Sequence, residues 1–198
     1  MKAEKLMRTV AVAEDEPITR MDICAMLEEL GFSIAGEASD GFDAIELCRR
    51  TKPDIALLDV KMPVFDGLAA AETICREDLA KCVVMLTAFS DEDIVKRAAE
   101  AGVTGYLVKP IDRSKLLPTI EVAYAQALRL RESREQTEKA RQQIQEDREI
   151  HKAQKLFARK LHCSEPEAYE KMRKMAMNKR VPLYTIARAV LEQEGGRK

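Results

Sequence analysis

The sequence predicts an α/β fold: a five-stranded parallel sheet with helices on both faces, followed by a long helix and a small all-α three-helix bundle. Three observations predict it. Short apolar runs alternate with helix-like runs five times up to about residue 123, the pattern of repeated βα units. The strand-like runs are continuously apolar, as strands covered on both faces are. Beyond Asp112 the alternation stops, glycine is absent as far as His162, and the punctuation that follows is that of short helices.

The elements follow in order. "TVAVA" (9–13) is the first strand, and the acidic "EDE" comes next. "ITRMDICAMLEEL" (18–30) places apolar residues at 23, 26, 27 and 30, a helical stripe closed by Gly31. "SIAGEA" (33–38) is a second strand and "FDAIELCRR" (42–50) a second helix. "DIALLDV" (54–60) is the third strand, ending on Asp59, and the Ala-rich "LAAAETICRE" (68–77) the third helix. "CVVMLTA" (82–88) is a strand, "DEDIVKRAAEAG" (91–102) a helix with glycine at its end, and "GYLVKP" (105–110) the fifth strand. One long helix starts at Asp112, with Pro118 near its start, where proline is tolerated.

Within that helix, positions 123, 127, 130, 134, 137, 141, 144 and 148 step by four and three. They carry Ala, Ala, Leu, Arg, Thr, Arg, Ile and Arg, a seam apolar at first and polar later. Twelve of the 21 residues from Arg129 to Glu149 are charged. This reads as a weak coiled coil, suited to a dimer formed only on activation, or as a lone charged linker helix.

In the tail, Ser164 and Glu167 have capping-box spacing with Pro166 in the first turn, and the helix runs to about Asn178. Its stripe is 168, 172, 175 and 176, with Met172, Met175 and Met177 as gap-filling core candidates. Lys171, Lys174 and Asn178 share another face. Pro182 opens a last helix with Leu183, Ile186, Ala187 and Val190 inward, ended by Gly195. With the segment around Leu156 and Phe157 these make three helices.

Composition bounds the function. No apolar run reaches the ~18 residues of a membrane span, and "MKAEKLMRTVAVAEDEP" has no apolar core of a signal peptide, so a cytoplasmic protein without membrane contact is expected. Five cysteines without a Cys-x-x-Cys pair read as reduced thiols, not a disulfide or zinc framework. His151 and His162 have no ligand spacing around them. The net charge of −1 hides an asymmetry: residues 1–123 carry −8, 124–149 carry 0, and 150–198 carry +7. The basic tail is a candidate polyanion binder or a solvated helical surface.

Chemistry in such folds gathers at the carboxyl ends of the strands. Glu14 and Asp15 follow the first strand, Asp59 ends the third, Thr87 stands near the end of the fourth, and Lys109 ends the fifth before Pro110. Clustered carboxylates repel one another, and a divalent cation relieves them. Mg2+ takes hard oxygen ligands and keeps waters that leave room for a phosphate. Lys109 and Thr87 supply a cation and a hydroxyl for phosphoryl oxygens, and Asp59 is placed to be the nucleophile that forms an aspartyl phosphate. No second nucleophile or Gly-rich phosphate cradle marks an independent enzyme.

With "AEDEP", "LLDVKMPVFDG", "MLTA" and "YLVKP", residues 8–123 resemble the receiver domain of two-component response regulators. The resemblance implies a flavodoxin-like, doubly wound sheet, a sensor histidine kinase as donor, and Asp59 as phosphoacceptor. It implies Mg2+ held by Asp15, Asp59 and the backbone carbonyl of Lys61, with Glu14, which stands where Asp is commoner, acting through water. It also implies a cis Lys109–Pro110 bond and a switch in which Thr87 moves toward the phosphoryl group and Tyr106 turns inward; the residues alone allow Tyr106 to be half-buried core.

The tail is similar to the ANTAR domain of transcription antiterminators through Ala153, Leu156, Phe157, Ser164, Ala168, Tyr169, Arg173, Ala176, Met177, Leu183, Ile186 and Ala187. Phe157 stands where Met is usual; the ethanolamine-utilisation type is the member suggested. This resemblance implies binding of tandem RNA hairpins in nascent transcripts, preventing a terminator from forming, by a homodimer assembled on activation. Lys155, Arg159, Lys171, Arg173, Lys174, Lys179, Arg180 and Arg188 supply the charge, and Tyr169 or Tyr184 a stacking surface. The expected division is 1–123 receiver, 124–149 linker helix or coiled coil, and 150–198 RNA-binding bundle. A DNA-binding output is the alternative, though the two tail helices lack the tight Gly-containing turn of a helix-turn-helix. A protein-interaction output is another.

Overall fold

The computed structural model of the chain describes residues 7–88 and 92–195, with the side chains of 92–94 and 194–195 excepted. The elements are β1 (Thr9–Ala13), α1 (Pro17–Glu29), β2 (Ser33–Ala38), α2 (Gly41–Thr51), β3 (Ile55–Asp59), α3 (Gly67–Arg76), β4 (Cys82–Thr87), α4 (Glu92–Ala101), β5 (Gly105–Val108), α5 (Arg113–Lys160), α6 (Glu165–Lys179) and α7 (Leu183–Gly195). Residues 1–6 of the N-terminal segment, 89–91 with Asp91 at the expected start of the fourth helix, and 196–198 of the tail lie outside the described residues. Among the described residues no helix is long and apolar enough to cross a membrane.

The chain forms two compact units, residues 1–131 and 132–198. In the first, the sheet is parallel throughout, with strand order β2-β1-β3-β4-β5. Successive strand side chains point to opposite faces, so each face acquires its own core. Val10, Val12, Ile55, Leu57, Val84 and Leu86 pack with Ile23 and Leu27 of α1 and Leu116, Ile120, Ala123 and Ala127 of α5. Ala11, Ala13, Ala56, Leu58, Val83 and Met85 pack with Ile45 and Cys48 of α2, Ala70 and Ile74 of α3 and Ala98 of α4. Burial pushes the Cys48 thiol up to about 12 and those of Cys24 and Cys82 up to about 11, which makes them inert packing groups.

Two features of α5 differ from the sequence reading. Pro118 is the sixth helical residue, past the first turn. The seam also divides: Ala123 and Ala127 are buried against the sheet, so they face their own chain's core, whereas Leu130 and Ile144 are exposed. At the end of this unit the Arg131 guanidinium donates to the Asp78 carboxylate and to the carbonyls of Ala80 at 2.6 Å and Lys81 at 3.1 Å.

Asp54, just before β3, ties three strand beginnings together. Its Oδ2 accepts from the Thr9 amide at 2.9 Å and the Thr9 hydroxyl at 3.1 Å, and its Oδ1 lies 2.7 Å from the Lys81 ammonium. Burial alone would raise its pKa, but Lys81 and Thr9 outweigh burial and hold it below the ordinary 3.8. A depressed carboxylate contributes stability that is present above the unfolded-state value and lost as pH falls through the folded one. Asp54→Asn therefore costs about 1–2 kcal/mol at neutral pH and flattens the stability profile below pH 3.8. Thermal melts across that range check it; an unchanged acid limb would contradict it.

In the second unit, α6 starts at Ser164 with both bonds of the capping box formed and ends at Arg180 in the left-handed conformation. The last part of α5 is the third helix of the bundle. Ala153, Met172, Ala176, Ile186, Ala187 and Val190 are its buried core, with Leu156, Phe157 and Leu183 packed against them. Met172 is core as expected. Met175 and Met177 are not: they are 38% and 68% exposed, because the stripe through 168, 172 and 176 leaves Met175 at its edge and Met177 on the opposite side of the helix.

Candidate functional site

The chain winds from β1 to β2 on one side and to β3 on the other, so the loops after β1 and β3 part and leave a crevice at their carboxyl ends. Glu14 and Asp15 lie directly after β1, Asp59 is the last residue of β3, Thr87 the last of β4, and Lys109 follows β5. The ladder holds this edge in register: the Val60 amide donates to the Leu86 carbonyl at 2.9 Å and the Lys109 amide to the Thr87 carbonyl at 2.8 Å. The Lys109–Pro110 peptide is cis.

The structure brings these groups together. Lys109 Nζ lies 2.7 Å from Asp59 Oδ2 and 2.6 Å from Glu14 Oε2. Glu14 and Asp59 are buried and Asp15 is exposed. Burial pushes the Glu14 carboxyl up, with Lys109 opposing and Asp59 adding to the rise. Burial works against the Lys109 ammonium, but its bond to Asp59 and its ion pair with Glu14 outweigh it and hold its pKa above the ordinary lysine value. The Lys61 amide reaches Asp59 Oδ1 only at 3.4 Å, and its side chain is exposed. Thr87 is buried; Tyr106 is half-buried, packed against the core beneath the edge.

Carboxylate oxygens of Glu14, Asp15 and Asp59 all lie within 4.8 Å of one another. Glu14 Oε2 is buried and, although paired with the lysine, accepts no well-directed hydrogen bond. Three hard oxygen donors, one short of a directed partner, suit Mg2+.

Three positions that shape the pocket escaped the sequence reading. Arg20 of α1 donates to the Glu14 carbonyl at 2.6 Å and pairs with Glu37 at 3.0 Å, fixing the loop that carries the acids. Gly67 opens α3 so close under Asp59 that a Cβ there would sit 1.7 Å from the Asp59 carbonyl oxygen. Met62 is buried beside it. Asp-Gly in "VFDG" signals the cap and tight turn, but not this approach; nothing in the sequence marks Arg20.

The basic residues expected to bind RNA are all exposed. They are spread over three helices: Lys155 and Arg159 lie on α5, Lys171, Arg173 and Lys174 on α6, Lys179 and Arg180 at its end, and Arg188 on α7. Arg173 pairs with Glu170 at 3.6 Å and Arg188 with Glu192 at 3.1 Å. Tyr169 is exposed and Tyr184 half-buried.

The family described as the response regulator receiver domain matches residues 10–121, more than half of the chain. The chain belongs to the response regulator receiver family. Behind its receiver, the ANTAR domain family matches residues 138–191, a segment that takes in 138–149 of the stretch read as linker. The transcriptional regulatory protein PdtaR of Mycobacterium tuberculosis is 39% identical over 188 residues, which cover 95% of this chain and 91% of PdtaR. Among solved structures, the receiver domain of the NarL regulator of M. tuberculosis is 29% identical with TM-score 0.57, covering 60% of this chain and 97% of that one. The CheX–CheY–BeF3–Mg2+ complex of Borrelia burgdorferi matches at 30% identity and TM-score 0.55, over 57% of this chain and 86% of that one. The response regulator thus joins a receiver to an RNA-binding antiterminator output; it is a regulator, not an enzyme. None of these relatives bears on the ethanolamine-utilisation subtype.

Proposed function

We propose that a sensor histidine kinase phosphorylates this regulator on Asp59, and that phosphorylation drives homodimerisation and binding of tandem RNA hairpins, so that transcription reads through a terminator. The observation that carries the reading is the Lys109 ammonium seated 2.7 Å from Asp59 and 2.6 Å from Glu14 in a chain that ends in an ANTAR domain. That the similar CheX–CheY complex holds Mg2+ and BeF3 supports a phosphoryl-accepting reading of this chain.

In the transfer, an Asp59 carboxylate oxygen attacks the phosphorus of a phosphohistidine. The new O–P bond forms as the P–N bond breaks, and the departing imidazole nitrogen keeps the electron pair and takes up a proton from water. Lys109 orients the carboxylate and offsets charge on the phosphoryl oxygens, and the Thr87 hydroxyl serves as a donor to them. Asp15, Asp59 and the Lys61 carbonyl would hold Mg2+ with Glu14 acting through water, and the ion would supply further charge stabilisation. Thr87 and Tyr106 form the switch, biasing the surface of α4, β5 and α5 toward a dimer as a population shift. The division 1–123, 124–149 and 150–198 gives receiver, connecting helix and RNA-binding bundle, in a cytoplasmic protein with no membrane partner. Lys155, Arg159, Lys171, Arg173, Lys174, Lys179, Arg180 and Arg188 supply charge toward RNA. Two ANTAR modules facing two tethered hairpins gain by effective concentration.

Size measurement with and without beryllofluoride and Mg2+, alongside RNA affinity at fixed salt, tests this. The expected result is a dimer and tighter binding with the mimic; the same size and affinity in both states would overturn it.

A further inference from the structure

The connecting helix carries more than a link. At 100° per residue, Arg141, Arg148, His151, Lys152, Lys155 and Arg159 of α5 fall within an arc of about 100°. Over that span they make a stripe roughly 27 Å long at 1.5 Å per residue. All six are exposed. The acids of this stretch, Glu138, Glu146, Asp147 and Glu149, lie outside the arc by the same geometry. Three of them are engaged elsewhere: Gln142 donates to Glu146 at 2.9 Å, Gln143 to Asp147 at 3.1 Å and Gln145 to Glu149 at 2.9 Å. Among the described residues no ion pair involves the four arginines and lysines from 148 to 159, in contrast to Arg173 and Arg188. A solvated helix surface normally interleaves its charges; this one is a single-sign track facing away from the bundle core.

Along one flank of the stripe runs an open cleft of about 490 Å³ between α5 and α6. Tyr169, 36% exposed, and Ile144, 54% exposed, give it apolar and aromatic surface, and Arg148, His151 and Asp147, whose carboxylate accepts from Gln143, also line it. Gln154 fixes the rim. Its amide donates to the Glu165 carbonyl at 2.9 Å, and its carboxamide oxygen meets His151 Nδ1 at 3.2 Å. That oxygen can only accept, so Nδ1–H of His151 is the donor in this contact.

We propose that stripe and cleft are one RNA site: Arg141, Arg148, Lys152, Lys155 and Arg159 take the backbone phosphates of a hairpin, and the cleft takes one unpaired loop base, stacked on Tyr169. The inference rests on the RNA-binding reading above and narrows it to α5 and the flank of α6. Phosphates account for a single-sign track, and an unstacked base accounts for an exposed aromatic beside it.

The test uses the full chain and hairpins enriched on it from a pool with randomised loops, compared with a blunt RNA duplex of the same stem. Tyr169→Ala weakens hairpin binding about tenfold, the size of one lost base stack. Tyr169→Phe binds as wild type, and neither change alters duplex binding. Replacing Arg148, Lys152 and Lys155 together by Gln lowers the slope of log affinity against log salt by about 2–3. Thermal melts confirm that the variants fold. If Tyr169→Ala and the triple variant bind the enriched hairpins as wild type does, the site is misplaced while the RNA reading stands. If Tyr169→Ala weakens duplex and hairpin alike, no loop base is read and the proposal falls. If wild-type protein enriches no hairpin, the RNA reading itself fails, and the site with it.

Discussion

Gly67→Ala lowers the melting temperature of the receiver by about 10 °C and slows phosphorylation of Asp59. The new Cβ would sit 1.7 Å from the Asp59 carbonyl oxygen and 2.8 Å from its carbonyl carbon. Neither atom belongs to a flexible side chain, so the backbone at the end of β3 has to move. Overpacking ordinarily costs about 1–3 kcal/mol; a clash against main chain lies at or above the top of that range, and ~3 kcal/mol corresponds to roughly 10 °C for a unit of this size. The effect reaches the site because the Gly67 amide donates to the Val60 carbonyl at 3.0 Å and Asp66 caps α3 through the Ala69 amide at 2.7 Å. Moving this turn moves the carboxylate that Lys109 holds. Calorimetry and phosphorylation kinetics on the same variant check it; an unaltered melt would show that the approach is not so close.

Met172→Ala unfolds the ANTAR bundle and leaves the receiver intact. Met172 has no exposed surface and lies among the few buried residues of that unit. Truncating a buried Met to Ala costs about 2–5 kcal/mol, comparable to the whole stability of so small a core. The expected result is loss of RNA binding and of one calorimetric transition, with Asp59 phosphorylated as in wild type. Met175→Ala and Met177→Ala, at exposed positions, change stability by no more than about 0.5 kcal/mol. A variant Met172→Ala that keeps both transitions would contradict the assigned packing.

The alternation of apolar runs and helical stripes placed every strand and helix of the receiver, because β1, β3 and β4 are covered on both faces and each helix on one. The pocket's charged members were legible for a similar reason: strand ends are where a parallel sheet leaves side chains unpacked, so an acid or lysine there stands out. What escaped depends on distances across the fold. Arg20 reaches the Glu14 carbonyl from a helix whose charges look like any solvated surface. The use of Gly67 is a matter of backbone approach, visible only once α3 is seated under β3. Met175 and Met177 misled because methionine suits core and surface alike: the stripe through Ala168, Met172 and Ala176 places Met177 opposite it, whereas Met175 lies at its edge and only the packed bundle shows it to be exposed. The seam of α5 misled because period alone does not say whether Ala123 and Ala127 face a partner helix or their own sheet.

The measurement closest to the centre of the account is label uptake from a radiolabelled phosphodonor in the presence of Mg2+, on wild type and Asp59→Asn. The account predicts a phosphoryl group labile to acid and to alkali on wild type and none on the variant, whose amide is too weak a nucleophile to form the acyl phosphate. Equal labelling of the two proteins would contradict it.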